Sequence, residues 1–114
     1  MKNPTKIIIA MGSNHDQHAH IDMARKYLCD AFRCVSFTNA IWTEPIGIAS
    51  DKYLNMLAVA DTFTDEATAK AKLKEIETLC GDTRQLRGHN IVNMDLDLLC
   101  YGQEKRHIDD WERP

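Results

Sequence analysis

The sequence predicts an α+β domain with elements in the order β-α-β-β-α-β. Four short stretches are apolar or alternate with period two, as strands do. Two longer ones, set between them, carry apolar residues at spacings of three and four, as helices do. The chain has 114 residues, of which 44% are hydrophobic, enough for one domain over 1–114 with one core.

Each element has its own warrant. Residues 6–11 read as a first strand, where Ile7-Ile8-Ile9 suits burial on both faces and Gly12-Ser13-Asn14 supplies the turn that ends it. Residues 16–32 read as a helix with Ile21, Ala24, Leu28 and Ala31 on its apolar stripe. Residues 34–42 read as a second strand with Val35 and Phe37 on one face, and Pro45 and Gly47 punctuate the loop that follows. Residues 53–62 form a third strand, in which Tyr53 and Asn55 share one face and Leu54, Met56, Ala58 and Ala60 the other. Thr64-Asp65-Glu66 is a helix start, Ala69, Leu73, Ile76 and Cys80 are its stripe, and Gly81 is its C-cap. Residues 82–93 read as a polar loop, and the strand Met94-Asp95-Leu96-Asp97-Leu98-Leu99 follows. That order is the ferredoxin-like split βαβ arrangement, an antiparallel sheet with two helices on one face.

The last strand organises the chemistry. Side chains alternate across a strand, so Asp95 and Asp97 share one face, opposite Met94, Leu96, Leu98 and Cys100. Neighbouring carboxylates repel unless a cation or basic group lies between them. The functional reading is a divalent-metal site, Mg²⁺ by preference, since that ion takes few protein carboxylates and leaves room for phosphate oxygens. The bland alternative is a solvated edge face. With Tyr53 and Asn55, the two acids are expected to look out from the uncovered face of the sheet.

Composition narrows the function classes. A net charge of −3 and a pI near 5.9 make a nucleic-acid backbone an unexpected partner. No apolar run approaches the roughly 20 residues that span a bilayer, and no signal-peptide core is present, so the chain is expected in the cytoplasm. Cys29, Cys34, Cys80 and Cys100 form no CxxC pair, which argues against a disulfide framework or a zinc site. His15, His18 and His20 cluster at the start of the first helix, where i and i+2 side chains diverge. A solvated first turn is the preferred reading, with adventitious Zn²⁺ or Ni²⁺ as the alternative.

Several separated motifs together resemble one family. They are Gly12-Ser13-Asn14, Glu44-Pro45-Ile46-Gly47, Tyr53-Leu54-Asn55, Ile76-Glu77 followed by Gly81 and Arg84, and Asp95-Leu96-Asp97-Leu98-Leu99. Their order and spacing resemble 6-hydroxymethyl-7,8-dihydropterin pyrophosphokinase, over about residues 6–102. The resemblance implies an ATP-dependent pterin diphosphokinase of folate biosynthesis. Such an enzyme moves a diphosphoryl group from ATP to the pterin hydroxymethyl oxygen and releases AMP. It implies that Asp95 and Asp97 are catalytic and hold two Mg²⁺ ions against the ATP phosphates. Asn55 would hydrogen-bond the pterin and Tyr53 would stack on it. Thr43 and Ile46 would read its edge through the backbone, and Gly12 would let the backbone approach. Glu77 and Arg84 match positions near the nucleotide. The expected partners are ATP and a pterin, with the chain a monomer or weak dimer.

The chain also departs from that family. The run before the aspartates usually reads Arg-Trp-Gly-Pro-Arg-Thr, whereas Gly88, His89 and Val92 stand at the arginine, tryptophan and second arginine. Asp82 replaces another arginine, where an acid is expected to add repulsion, and Lys74 replaces a glutamine. Cationic groups near a transferring phosphoryl stabilise developing charge, so their loss bears on rate. Arg87, one position before the missing arginine, is the candidate substitute, and Arg84, Arg87 and His89 together are candidates for phosphate contact. The family continues with a segment of histidine, arginines and aromatics, for which this chain offers His107, Trp111 and Arg113. Two alternatives therefore stand beside the enzyme. One is a catalytically impaired module of the same fold that binds a pterin or nucleotide. The other is an interaction protein pairing through its open sheet, disfavoured because two acids make a poor interface core.

Overall fold

A computed structural model describes residues 3–44, 51–102 and 104–105. The elements are β1 (Thr5–Ser13), α1 (Gln17–Ala31), β2 (Arg33–Phe37), β3 (Ile41–Thr43), β4 (Tyr53–Thr62), α2 (Glu66–Leu79), α3 (Arg84–Gly88), β5 (Asp95–Tyr101) and β6 (Glu104–Lys105). The sheet runs β2-β4-β1-β5-β6, with β3 also paired to β4, and every pairing is antiparallel. The result is the ferredoxin-like α+β fold, with the two long helices on one face.

That face holds the core. Ile7, Ile9 and Met11 of β1, Leu54, Ala58 and Ala60 of β4, and Leu96 and Leu98 of β5 pack against Ile21, Ala24 and Leu28 of α1 and Ala69, Leu73 and Ile76 of α2. Each set follows the period of its element, which is why the periodicity located them. The small Ala24, Ala58 and Ala69 are fully buried and let the helices lie close to the sheet. The Asp65 side chain accepts the Thr68 N–H at 2.8 Å and so caps α2, one residue after the hydroxyl at the head of the expected helix start. Gly81 ends that helix at φ +83°, a conformation that favours glycine.

The structure corrects several expectations. β1 does not stop before Gly12 but continues through Ser13, because Gly12 pairs with both Asn55 and Asp95. Of its three isoleucines, Ile7 and Ile9 are buried and Ile8, on the uncovered face, is only partly so. The second strand is broken into β2 and β3. Thr38 donates its N–H to Leu57 O at 2.9 Å, and its hydroxyl accepts the Leu57 N–H at 2.9 Å, so a side chain takes the ladder position of a carbonyl. The polar 82–93 loop contains α3, nucleated where the Thr83 hydroxyl accepts the Leu86 N–H at 3.1 Å.

A bulge in β5 changes one face assignment. Ile9 pairs with Leu98 and Ile8 with Cys100, leaving Leu99 as an extra residue. The alternation therefore reverses. Cys100 comes opposite Ile8 rather than sharing a face with Leu96 and Leu98. Tyr101, opposite Ile7, packs against the core instead, and its hydroxyl donates to Thr64 O at 2.6 Å.

Candidate active site

The sheet face away from the two long helices, which no described helix covers, presents its side chains in rows set by strand register. One row runs Asn55, Gly12, Asp95, and the next runs Leu57, Ala10, Asp97. Asp95 and Asp97 thus share a face, as their spacing predicts, about 7 Å apart along the strand. β1 separates them from the β4 side, and β1 carries only glycine and alanine in these two rows.

The β4 side is neutral. Asn55 Nδ2 donates to Thr43 Oγ1 at 2.7 Å and to Ile41 O at 3.4 Å, so three expected or neighbouring residues form one cluster. A Cβ at Gly12 would lie 3.2 Å from Asn55 Oδ1 and 3.6 Å from Tyr53 Cδ1. The glycine therefore leaves room for the amide and the ring to lie across β1. Beside them is a largely apolar cleft of about 400 Å³ whose walls include Ala10, Thr38, Ile41, Asn55 and Leu57. A flat ring with a hydrogen-bonding edge suits such a surface.

The β5 side is charged, and Arg87 is its hub. Its Nε donates to Asp82 Oδ2 at 2.6 Å, and its Nη2 donates to Met94 O at 3.1 Å and to Asp95 Oδ1 at 3.3 Å. The same Nη2 lies 3.8 Å from Glu77 Oε2. Asp82 thus does not add unrelieved repulsion, because the first turn of α3 brings Arg87 back onto it. Burial works to lower the Arg87 pKa, but the Asp82 hydrogen bond and the charges of Asp82, Asp95 and Glu77 hold it above its ordinary value. Burial, followed by the Asp95 charge, raises the Tyr53 hydroxyl pKa, while Arg87 opposes the rise.

Glu77 faces the outer edge of β5 rather than solvent. It is 6% exposed, and its Oε2 accepts the Leu96 N–H at 2.7 Å, a donor that β1 does not take. Burial raises its carboxyl pKa, and the Leu96 N–H and Lys74, whose Nζ is 3.7 Å from Oε1, pull the other way. Past this edge a cleft of about 230 Å³ is walled by Lys70, Lys74, Leu73, Leu96 and Asp97. Arg84 is exposed at the start of α3, and it is Arg87, one turn on, that reaches the acids. Ile46, and His107, Trp111 and Arg113 of the tail, lie outside the described residues.

Asn14 does more than turn the chain. It is 4% exposed, its Oδ1 accepts the Val92 N–H at 2.7 Å, and its Nδ2 donates to Asn90 O at 2.8 Å. The loop that leads into the aspartates is therefore clamped to the end of β1. Among the histidines, His20 Nδ1 is 2.6 Å from His15 O, and the His18 ring sits edge-on to Trp42 at 5.6 Å. Among the described residues no three His, Cys, Asp or Glu side chains gather into a metal-holding group. Asp95 and Asp97 still fit a hard cation that takes most of its ligands from water and phosphate, since Asp95 is 39% exposed in its side chain.

Fold and face together define a ferredoxin-like domain whose open sheet sets a neutral hydrogen-bonding patch beside an acidic one. Residues 8–113 match the sequence model of the 7,8-dihydro-6-hydroxymethylpterin-pyrophosphokinase (HPPK) family, and the chain belongs to that family. At family level this is a pterin pyrophosphokinase fold of folate synthesis. No curated protein matches the chain closely enough to stand as a relative. No described helix is long and apolar enough to cross a membrane.

Proposed function

We propose that this chain transfers the diphosphoryl group of ATP to the hydroxymethyl oxygen of 6-hydroxymethyl-7,8-dihydropterin and releases AMP. The observation that carries this reading is the row Asn55, Gly12, Asp95, which sets a neutral hydrogen-bonding group and an acid on either side of a bare backbone. Asn55, held by Thr43, offers its amide to the pterin edge, and Tyr53 offers a ring to stack on it. By the family resemblance, the backbone of Ile46 would also read the pterin. The hydroxymethyl oxygen would then lie toward β5, where it attacks the β-phosphorus as the bond from that phosphorus to the α,β-bridging oxygen breaks.

Asp95 and Asp97 would hold the Mg²⁺ that accompanies ATP, two ions by the family pattern. When bound, Mg²⁺ neutralises phosphate charge and polarises the reacting phosphorus. The residues of the chain position the two reactants, which is most of what phosphoryl-type transfer requires. Lys70 and Lys74, on the cleft beside Asp97, supply positive charge on the nucleotide side, with Glu77 behind them and Arg84 nearby in sequence to Arg87.

A second reading is favoured by one observation. Val92 stands where the family has an arginine, and its backbone is fastened to Asn14, so this loop position brings no cation to the phosphates. The chain would then bind a pterin or nucleotide without turnover. AMP release from MgATP, with and without the pterin, separates the two. Pterin-dependent AMP supports the enzyme. Pterin binding by calorimetry without AMP selects the binding module, and neither one removes both.

A further inference from the structure

Arg87 is a cation that the reading above leaves without a task. Besides the Nη2 contacts to Met94 O at 3.1 Å and Glu77 Oε2 at 3.8 Å, it holds two aspartates, and these two grips differ. Nε meets Asp82 Oδ2 at 2.6 Å, a short charge-assisted bond to a side chain only 9% exposed. Nη2 meets Asp95 Oδ1 at 3.3 Å, and that side chain is 39% exposed. The other Asp82 oxygen, Oδ1, is buried without a hydrogen-bond partner among the described residues, so Arg87 is what compensates this carboxylate. Arg87 is therefore fastened at Asp82 and held more lightly at Asp95.

We propose that Arg87 is a positioning residue that serves as the resident counter-ion of Asp95 and competes with a divalent cation for it. This rests on the reading that Asp95 and Asp97 receive a divalent cation together with ATP. Two cations cannot share one carboxylate oxygen without repulsion. A metal arriving alone must displace Nη2 and leave a guanidinium beside it. A metal arriving with a polyphosphate brings the anion that guanidinium needs, because a guanidinium fork matches phosphate oxygens. Asp82 keeps Arg87 within reach throughout. The site then resists bare metal and accepts metal with nucleotide, so the two bind cooperatively. In the same way the chain recovers, from position 87, a cationic group that it lacks at 88 and 92.

The test is Mn²⁺ binding, followed by the loss of free-ion EPR signal, with and without a non-hydrolysable ATP analogue. Arg87→Gln should bind Mn²⁺ alone about tenfold more tightly than the wild type, and the analogue should improve that binding far less than it does in the wild type. Because Arg87→Gln strands Asp82 as a buried charge, the double variant D82N/R87Q, which removes both charges, is measured alongside and should repeat the effect with a wild-type melting temperature. If Mn²⁺ binds all three proteins within twofold of one another, and the analogue helps them equally, Arg87 is only a structural tie and the proposal is overturned. If none of the three binds Mn²⁺, with or without the analogue, the metal reading of Asp95 and Asp97 falls and takes this proposal with it.

Discussion

Gly12 divides the open face into two halves that differ in almost every physical respect. On the β4 half, Asn55 and Thr43 share a neutral hydrogen bond next to an apolar cleft. On the β5 half, Asp82, Glu77 and Asp95 surround a single guanidinium. Both halves use the same pleat, so strand geometry does not separate them. The difference comes from what flanks the sheet. β3 lends the first half a hydroxyl and a carbonyl, while the corner between α2 and α3 lends the second half its charges. On the proposed function, one half would take a flat, uncharged ring edge and the other a polyanion with its cation. Gly12 and Ala10, the β1 residues in the two rows between them, put no bulky side chain at that boundary.

The sharpest way to break this comparison is to remove an acid. Asp97→Ala should lower pterin-dependent AMP release by roughly 1000-fold while leaving pterin affinity and the circular dichroism spectrum as they are. A variant with normal turnover would end the division of labour. Filling the boundary comes next. Gly12→Val places a branched side chain where a Cβ is already 3.2 Å from Asn55 Oδ1. Pterin affinity by calorimetry should fall about 100-fold, with Mn²⁺ binding changed little. Equal losses on both sides would show that the halves are not separable at Gly12. Asn55→Ala should weaken pterin binding about tenfold, the worth of one well-placed hydrogen bond, without touching metal affinity.

Glu77 tests the charged half through pH. Burial raises its folded pKa above the unfolded value. Its stabilising contribution is therefore fully present below the unfolded pKa and is lost as pH rises through the folded one. Glu77→Gln keeps an acceptor for the Leu96 N–H and does not titrate. The variant's melting temperature should gain on the wild type as pH rises above the ordinary glutamate range, and then hold level. A constant difference across that range would mean that Glu77 does not titrate as a buried acid. The smallest effect is expected away from both halves. Asp65→Ala removes the α2 cap at a cost of about 1 kcal/mol in stability, with kcat and KM unchanged.

Where local rules suffice, the sequence was a reliable guide. The third strand was legible to the residue, 53–62, because alternation and flanking turn residues agree. The stripes of both long helices were legible for the same reason. The common face of Asp95 and Asp97 follows from the pleat alone. The break at Thr38 was hidden, since a hydroxyl that replaces a carbonyl in the ladder leaves no periodic trace. So was the Leu99 bulge, because one unpaired residue in an all-apolar run alters register without altering pattern. α3 spans five residues, too few to show a period.

By itself, then, the sequence determined the order of the elements, the core stripes, the acidic pair and the resemblance that led to the family. These depend on neighbours within one element, whose spacing is covalent. Only the tertiary structure decided that Asn14 clamps the 90–92 loop, that Glu77 closes the β5 edge, and that Asp82 and Arg87 form a pair beside Asp95. Those contacts join residues from different elements. Their distance is set by how the helices and turns pack on the sheet, which no local spacing encodes.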